Sequence, residues 1–344
     1  MAAPKLPCLR TSDVQRYILR RILQMIPIAL GISILMFTLL TLAPGDPVDL
    51  LISTDPRVRP EDVARLKRIY GLDQPIHIRY VKWLGRTLQG DLGWSRTYKE
   101  RVTDLMKDRI ANSLWLTITA FFLALLVAVP VGIYSALKQY SFWDYLATTF
   151  TFFGVSIPVF WFAIMTIYLF AVWHPWTAWP PLAWLALPPG GISTPGVGSG
   201  LPFLLDRLKY MLAPSVVLAL LSMATYTRYT RSSMLEVIRQ DYVRTARAKG
   251  LAEGTVINKH ALRNALIPLV TIVALSISGL FAGAPVTETV FAWPGVGRLL
   301  VDSVLGGDYV VAQAVLMFLA VLVLIFNLVA DIGYALLDPR IRYD

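Results

Sequence analysis

Side chains able to do chemistry are sparse in this chain of 344 residues. Ser199 sits in Gly198-Ser199-Gly200, but Val197 breaks the G-x-S-x-G spacing that exposes a hydrolase serine on a strained turn, and its setting is a Gly/Pro-rich loop. It reads as a loop serine. His77, His174 and His260 are far apart in sequence, a poor basis for one metal site. No Gly-Lys dipeptide occurs, so a phosphate-cradling Walker A loop is excluded, and HExxH is absent too. The single cysteine, Cys8, rules out CxxC chemistry and any intramolecular disulfide. The seven residues before it form no apolar signal region, so Cys8 is not expected to be a lipid anchor. What remains is charge: 32 basic against 22 acidic residues, a net +10. A nucleic-acid partner is one source of such a surplus; in an apolar chain the flanks of membrane helices are the better one.

The chain is apolar. Hydrophobic residues make up 56% and charged residues 16%, against about 25% charged in soluble domains, and mean hydropathy is +0.58. A helix needs about 20 apolar residues to cross a bilayer. Six stretches without Asp, Glu, Lys, Arg or His qualify: 22–42, 113–137, 145–173, 210–227, 265–287 and 309–330. The short alternating segments of a β-barrel are absent. The first stretch is too long for a removed signal peptide and lacks a small-residue cleavage site. The expected fold class is an all-α integral membrane protein with six transmembrane helices.

Six spans put both termini on one side. Lys5, Arg10, Arg16, Arg20 and Arg21 precede the first span, and residues 228–264 carry Arg228, Arg231, Arg239, Arg244, Arg247, Lys249, Lys259 and Arg263 against three acids. By the bias of basic residues toward the cytoplasm, residues 1–21, 228–264 and 331–344 are expected inside. Region 43–112 is expected outside and partly helical: Pro60, Glu61 and Asp62 open a run with Val63, Leu66 and Ile69 at helical spacing, closed by Gly71. Ile76, Tyr80, Trp83, Leu84 and Leu88 continue the pattern to Gly90. Region 174–209 is broken by prolines 175, 180, 181, 188, 189, 195 and 202. Trp173, Trp176, Trp179 and Trp184 suit an interfacial aromatic belt.

Charge-free spans limit the mechanism. A proton-driven carrier places titratable groups inside the membrane, and ion channels use charged or carbonyl-lined rings. Here the spans offer Ser, Thr, Gln313 and Asn327. Energy for active transport must then enter from elsewhere, and 228–264 is the expected entry point. Within it Met234, Leu235, Ile238 and Tyr242 share one helical face, and Val256, Ile257, Ala261 and Leu262 resume the pattern after Gly250. Thr245, Ala246, Ala248 and Gly250 give a turn without bulk, suited to a groove on a partner. A basic loop lying against lipid headgroups is the alternative.

The sequence DYVRTARAKGL (241–251) followed by KHALRNALIP (259–268) resembles the coupling segment of permease subunits of bacterial ABC importers. More narrowly it is similar to the first permease subunit of the dipeptide/oligopeptide/nickel importer family. Stretches 16–47, 70–95, GVSIPVFWFAI (154–164), ETVFAWPGVGRLL (288–300) and 327–343 carry the likeness along nearly the whole chain. Aligned on Gly250 with the generic motif of such loops, Arg244, Thr245 and Ala246 replace Glu-Ala-Ala, and His260, Leu262 and Arg263 replace the later Ile, Leu and Pro. The resemblance implies a type I ABC importer permease with a cytoplasmic coupling helix, in a bacterial plasma (inner) membrane. It implies a homologous second permease subunit, two ATPase subunits carrying ATP and Mg²⁺, an external substrate-binding protein and membrane lipid as partners. No nucleic acid, no cofactor in this chain and no catalysis by it are expected. Peptides are the implied cargo; glutathione, nickel chelates and oligosaccharides are carried by similar permeases, and an ATPase-independent carrier or channel is the rival from another class.

The residues expected to engage the ATPase are Arg244, Thr245, Ala246, Arg247, Ala248, Lys249, Gly250, Glu253 and His260. Gly250 is expected where a side chain would obstruct docking, and Arg244, Arg247, Lys249 and Glu253 are expected to form ion pairs at its rim. Gly279 and Gly283 form G-x-x-x-G in the fifth span, a pattern that permits close helix approach. Pro27, Pro130, Pro158 and Pro268 are candidate kinks. Glu288, just beyond that span, reads as a solvated or paired boundary acid, with a gate as the alternative. Asp331 reads as interfacial, and Asp338-Pro339-Arg340 as part of the resemblance.

Overall fold

A computed structural model describes residues 11–42, 65, 68, 73–173, 185–280 and 283–337. Cys8, the expected helix around 60–71, His174, Trp176, Trp179, Trp184 and Asp338-Pro339-Arg340 lie outside the described residues. All named elements are helical: α1 (Thr11–Leu42), α2 (Ile76–Leu88), α3 (Val102–Leu137), α4 (Phe142–Ser156), α5 (Val159–Ile167), α6 (Leu201–Ile238), α7 (Asp241–Ala248), α8 (Ile267–Leu280), α9 (Pro285–Val290), α10 (Val296–Leu305) and α11 (Tyr309–Leu337). Among the described residues, the stretches Leu19–Leu42, Val102–Leu137, Leu201–Ile238 and Tyr309–Val329 are long and apolar enough to cross a membrane, and α4 with Val159–Val172 makes a fifth if a bent pair is one span.

The apolar runs mark where helices pass through lipid, but the helices run past them. α3 has 36 residues and α6 has 38, about 54 and 57 Å at 1.5 Å per residue, against a hydrocarbon core of about 30 Å. Their polar ends must therefore project beyond it. The stretch 145–173 is not one straight helix: α4 and α5 meet at 105° across Ile157-Pro158. Pro158, with φ −61° and ψ 128°, lacks the N–H that would continue the helix. The stretch 265–287 comprises α8 and, after a break, α9.

The described chain divides into two compact units. One comprises the residues up to Met106 and from Asp302 onward; the other is Lys107–Val301. In the first, α1 packs on α11 and α2 lies on α1. Phe37 anchors α2 through Tyr80 and Trp83, with ring centroids 5.6 and 5.4 Å away. Ser33 donates its proton to the Leu30 carbonyl (2.8 Å), so the Tyr80 hydroxyl 2.8 Å away donates to Ser33. A tight turn, Gly93–Arg101, is tied to the start of α11. Buried Asp308 accepts from the Ser95 hydroxyl at 2.7 Å and the Thr97 amide at 3.0 Å, while Arg96 reaches the Gly306 carbonyl at 3.0 Å.

In the second unit, α3 carries a ridge of small residues four apart: Ala120, Ala124, Ala128, Gly132 and Ala136. Such a ridge lets a neighbouring helix approach closely. Ala120, Ala124 and Ala128 cluster with Ala219, Met223 and Tyr226 of α6 and Leu269 of α8. At Gly132 a Cβ atom would lie 2.7 Å from Thr230 Cβ and 2.9 Å from the Thr227 carbonyl. Gly132→Leu should therefore destabilise the unit by about 1–3 kcal/mol, seen as a lower melting temperature of the purified protein and less of it in membranes. α4 offers α6 a stripe of buried residues, Asp144, Ala147, Thr151 and Gly154, at the 3-4-3 spacing of one helical face.

Candidate coupling site

Residues 241–265 pack on the ends of α3 and α6. In α7 only Val243 and Ala246 are buried, three apart and so on one face. They join Ala136, Met234, Val256, Ala261 and Ala265 in one apolar cluster. Arg244, Thr245, Arg247, Ala248, Lys249, Gly250 and Glu253 are exposed, and His260 is half-buried in the π-helical turn Val256–Ala261. Thus Ala246, which the sequence groups with the partner-facing residues, instead holds the helix to its own subunit. Thr245 Oγ1 returns to the Asp241 carbonyl at 2.8 Å, and Asn264 Nδ2 donates to the Tyr242 hydroxyl at 3.0 Å.

α7 ends in a turn at Gly250, whose amide donates to the Arg247 carbonyl at 2.9 Å. Its φ is +74°, and no atom lies within 4 Å of where a Cβ would stand. Within the subunit, then, glycine answers to a left-handed backbone, and the space beside it is open. Across this turn Arg247 grips Glu253, Nη2 to Oε1 at 2.6 Å and Nε to Oε2 at 3.1 Å. The hydrogen bond from Arg247 holds the Glu253 carboxyl below its ordinary pKa, and the carboxylate raises Arg247. A depressed carboxylate keeps its contribution above the unfolded pKa and loses it as pH falls through the folded one, so the pair stays ionised at neutral pH. Arg244 pairs with Asp241 at 3.5 Å, both largely exposed.

Just beneath this cap lies a buried ionic junction that sequence reasoning missed. Asp144, 2% exposed near the start of α4, is forked by Arg231 of α6, with Nε to Oδ1 at 2.7 Å and Nη2 to Oδ2 at 2.9 Å. Ser135 of α3 donates to Oδ1, the Tyr140 amide to Oδ2 at 2.9 Å, and Arg231 Nε also touches Ser135 Oγ at 3.1 Å. Three helices thus meet on one carboxylate. Arg231 read as one more flanking cation; the available signal was a lone acid at the head of an apolar helix.

A second buried centre surrounds Glu288, which is fully buried rather than solvated. Ser113 Oγ donates to Oε1 at 2.6 Å, the Ala284 amide to Oε1 at 3.3 Å and the Arg298 amide to Oε2 at 2.9 Å. Ser113 Oγ in turn accepts from the Val296 amide at 2.8 Å. Two first-turn amides of α10, those of Val296 and Arg298, which have no partner inside their helix, are therefore satisfied by Ser113 and Glu288. Trp293, 0% exposed, donates from Nε1 to the Asn112 carbonyl at 3.1 Å, and Arg207 Nη2 reaches Asn112 Oδ1 at 2.7 Å. A Cβ at Gly295 would overlap the Glu288 carboxyl.

The expected G-x-x-x-G contact is corrected by the same loop. Gly279 is exposed with nothing within 4 Å of its Cβ position, whereas Gly283 lies beyond the end of α8 at φ +74°, with Gly297 N 3.1 Å from its Cβ position. The two share no helical face because the helix stops between them. Close helix approach belongs to the α3 ridge. Among the described residues no group of three His, Cys, Asp or Glu side chains is placed to hold a metal.

Residues 128–343 match the family described as binding-protein-dependent transport system inner membrane component, and residues 14–117 match its N-terminal counterpart. The chain belongs to this family. The permease is 44% identical over 328 residues to the oligopeptide transport system permease protein AppB of Bacillus subtilis, covering 95% of this chain and 99% of that one. It is 38% identical to the di/tripeptide transport system permease protein DppB of Pseudomonas aeruginosa (95% and 98%) and 37% identical to the dipeptide transport system permease protein DppB of Escherichia coli (95% and 99%). It is accordingly an all-helical, multi-pass inner-membrane permease subunit of an ABC transporter, not itself an enzyme.

Proposed function

We propose that this permease forms half of the pathway through which an ATP-driven importer takes up short peptides. A homologous second permease supplies the other half, an external binding protein delivers the peptide, and two ATPase subunits bind ATP and Mg²⁺. In this reading the chain crosses the membrane six times, both termini and residues 228–264 lie in the cytoplasm, and the exposed surface of α7 and the turn after it, with Arg244, Thr245, Arg247, Ala248, Lys249, Gly250 and Glu253, meets an ATPase, with His260 bordering it. The observation that carries the peptide reading is likeness along 95% of the chain to permeases named for oligopeptides, dipeptides and tripeptides.

The chemistry asked of this chain is mechanical. Closure of the ATPases moves α7, and the helices packed on it move as rigid bodies, opening the pathway outward; hydrolysis resets it. Nothing in that cycle needs a reacting side chain here. Gentle solubilisation of native membranes should bring down ATPase subunits and a second permease with this chain. The complex in vesicles, with its binding protein, should accumulate trialanine only with ATP and Mg²⁺. Uptake at the same rate without nucleotide, or purification as a lone homo-oligomer, would refute the reading.

A further inference from the structure

The junction on Asp144 lies where a push on α7 must leave the docking platform. Ala136 and Met234, which support Val243 and Ala246, sit one residue after Ser135 on α3 and one turn after Arg231 on α6. Beyond the junction, α4 lies along α6, close enough at Gly154 that a Cβ would be 3.2 Å from Ala224 Cβ, and then bends 105° into α5. Beyond Asp144 the buried stripe of α4 is made of small residues, Ala147, Thr151 and Gly154. Such surfaces pack closely yet can slide, as in shear motions of packed helices. A bidentate guanidinium–carboxylate pair is directional, and here a hydroxyl and a backbone amide fix the same carboxylate.

We infer that Asp144 and Arg231 are positioning residues that lock α4 to the coupling platform, so that movement of α7 is passed to α4 and α5 instead of being lost as slip. This rests on the proposed function, since it presumes that α7 receives the push. A purely structural role is the competing explanation, and buried ion pairs separate the two. Replacing both charges by apolar side chains of similar size is often neutral or stabilising, whereas removing one partner strands a buried charge. The double variant Asp144→Asn/Arg231→Met therefore strands no charge, keeps an acceptor oxygen where the Ser135 hydroxyl and the Tyr140 amide donate, and removes the directional fork.

The test uses the whole complex in vesicles, with both permeases, the ATPases and the binding protein. It reads melting temperature, ATP hydrolysis and trialanine imported per ATP hydrolysed. The double variant should assemble and melt like the wild type and still hydrolyse ATP, while importing at least tenfold less trialanine per ATP. Arg231→Lys, which keeps the charge but not the fork, should fall between. Unchanged import per ATP in the double variant, beside a coupled wild type, overturns the lock alone. Loss of import only in proportion to lost assembly or melting temperature assigns the pair to structure and overturns it equally. A wild-type complex without ATP-dependent import overturns the functional reading, and the lock with it.

Discussion

Gly250→Val should abolish uptake while leaving the permease in the membrane at its normal level. At φ +74° any L side chain with a Cβ is strained by roughly 1–2 kcal/mol, and a β-branched one is a genuine outlier there. The α7 turn would relax by moving off its left-handed conformation, carrying Glu253 away from Arg247 and re-aiming the exposed face. Global stability should change little, because Gly250 is exposed and its neighbourhood is open. Gly250→Asn separates the two reasons for glycine. Asn carries a side chain of much the same size as that of Val, yet tolerates a left-handed backbone. If the backbone dominates, Asn should retain a substantial part of the uptake; if the partner's groove demands an absent side chain, Asn should fail as completely as Val. We expect retention with Asn, measured as trialanine uptake against membrane level by immunoblot. Normal uptake with Val would remove Gly250 from the coupling mechanism.

What the sequence made legible follows from which interactions are local. Helices through lipid announce themselves by composition alone, so α1, α3, α6 and α11 contain the expected stretches. Their true lengths were hidden because helix continues into polar sequence: Arg228 closes the apolar stretch of α6, but nothing before Ile238 marks where the helix itself ends. Residues 241–250 stood out through the small side chains of Thr245, Ala246, Ala248 and Gly250 and through their resemblance to a coupling segment, whereas the buried face of Val243 and Ala246 emerged only from the fold. The buried carboxylates of Asp144 and Glu288 were illegible because each finds a decisive partner far along the chain, 87 residues from Asp144 to Arg231 and 175 from Ser113 to Glu288. The small-residue ridge of α3 was overlooked for a different reason. It is spread over about four and a half turns of a mostly apolar run, whereas Gly279 and Gly283, four residues apart, form a pattern that takes meaning only if the helix persists.

The same distinction sets the second large effect. Glu288→Gln should lower the stability of the purified complex by about 2–4 kcal/mol, since hydrogen bonds to a charged acceptor are worth about 1.5–3 kcal/mol each and orphaned buried donors cost more than lost bonds. The carboxylate accepts on both oxygens, from Ser113 and Ala284 on one and from Arg298 on the other. A glutamine can offer one carbonyl; its NH₂ group must face whichever donor is left. If it faces the Arg298 amide, that amide loses its partner; if it faces Ser113, the hydroxyl proton must turn away and the Ala284 amide loses its acceptor. Glu288→Ala should be worse, because no acceptor remains for any of the three donors. The measurement is thermal melting of the purified complex, with transport read at a temperature where the variant is folded. A glutamine variant that melts with the wild type would show that these three hydrogen bonds do not hold the α9–α10 loop together.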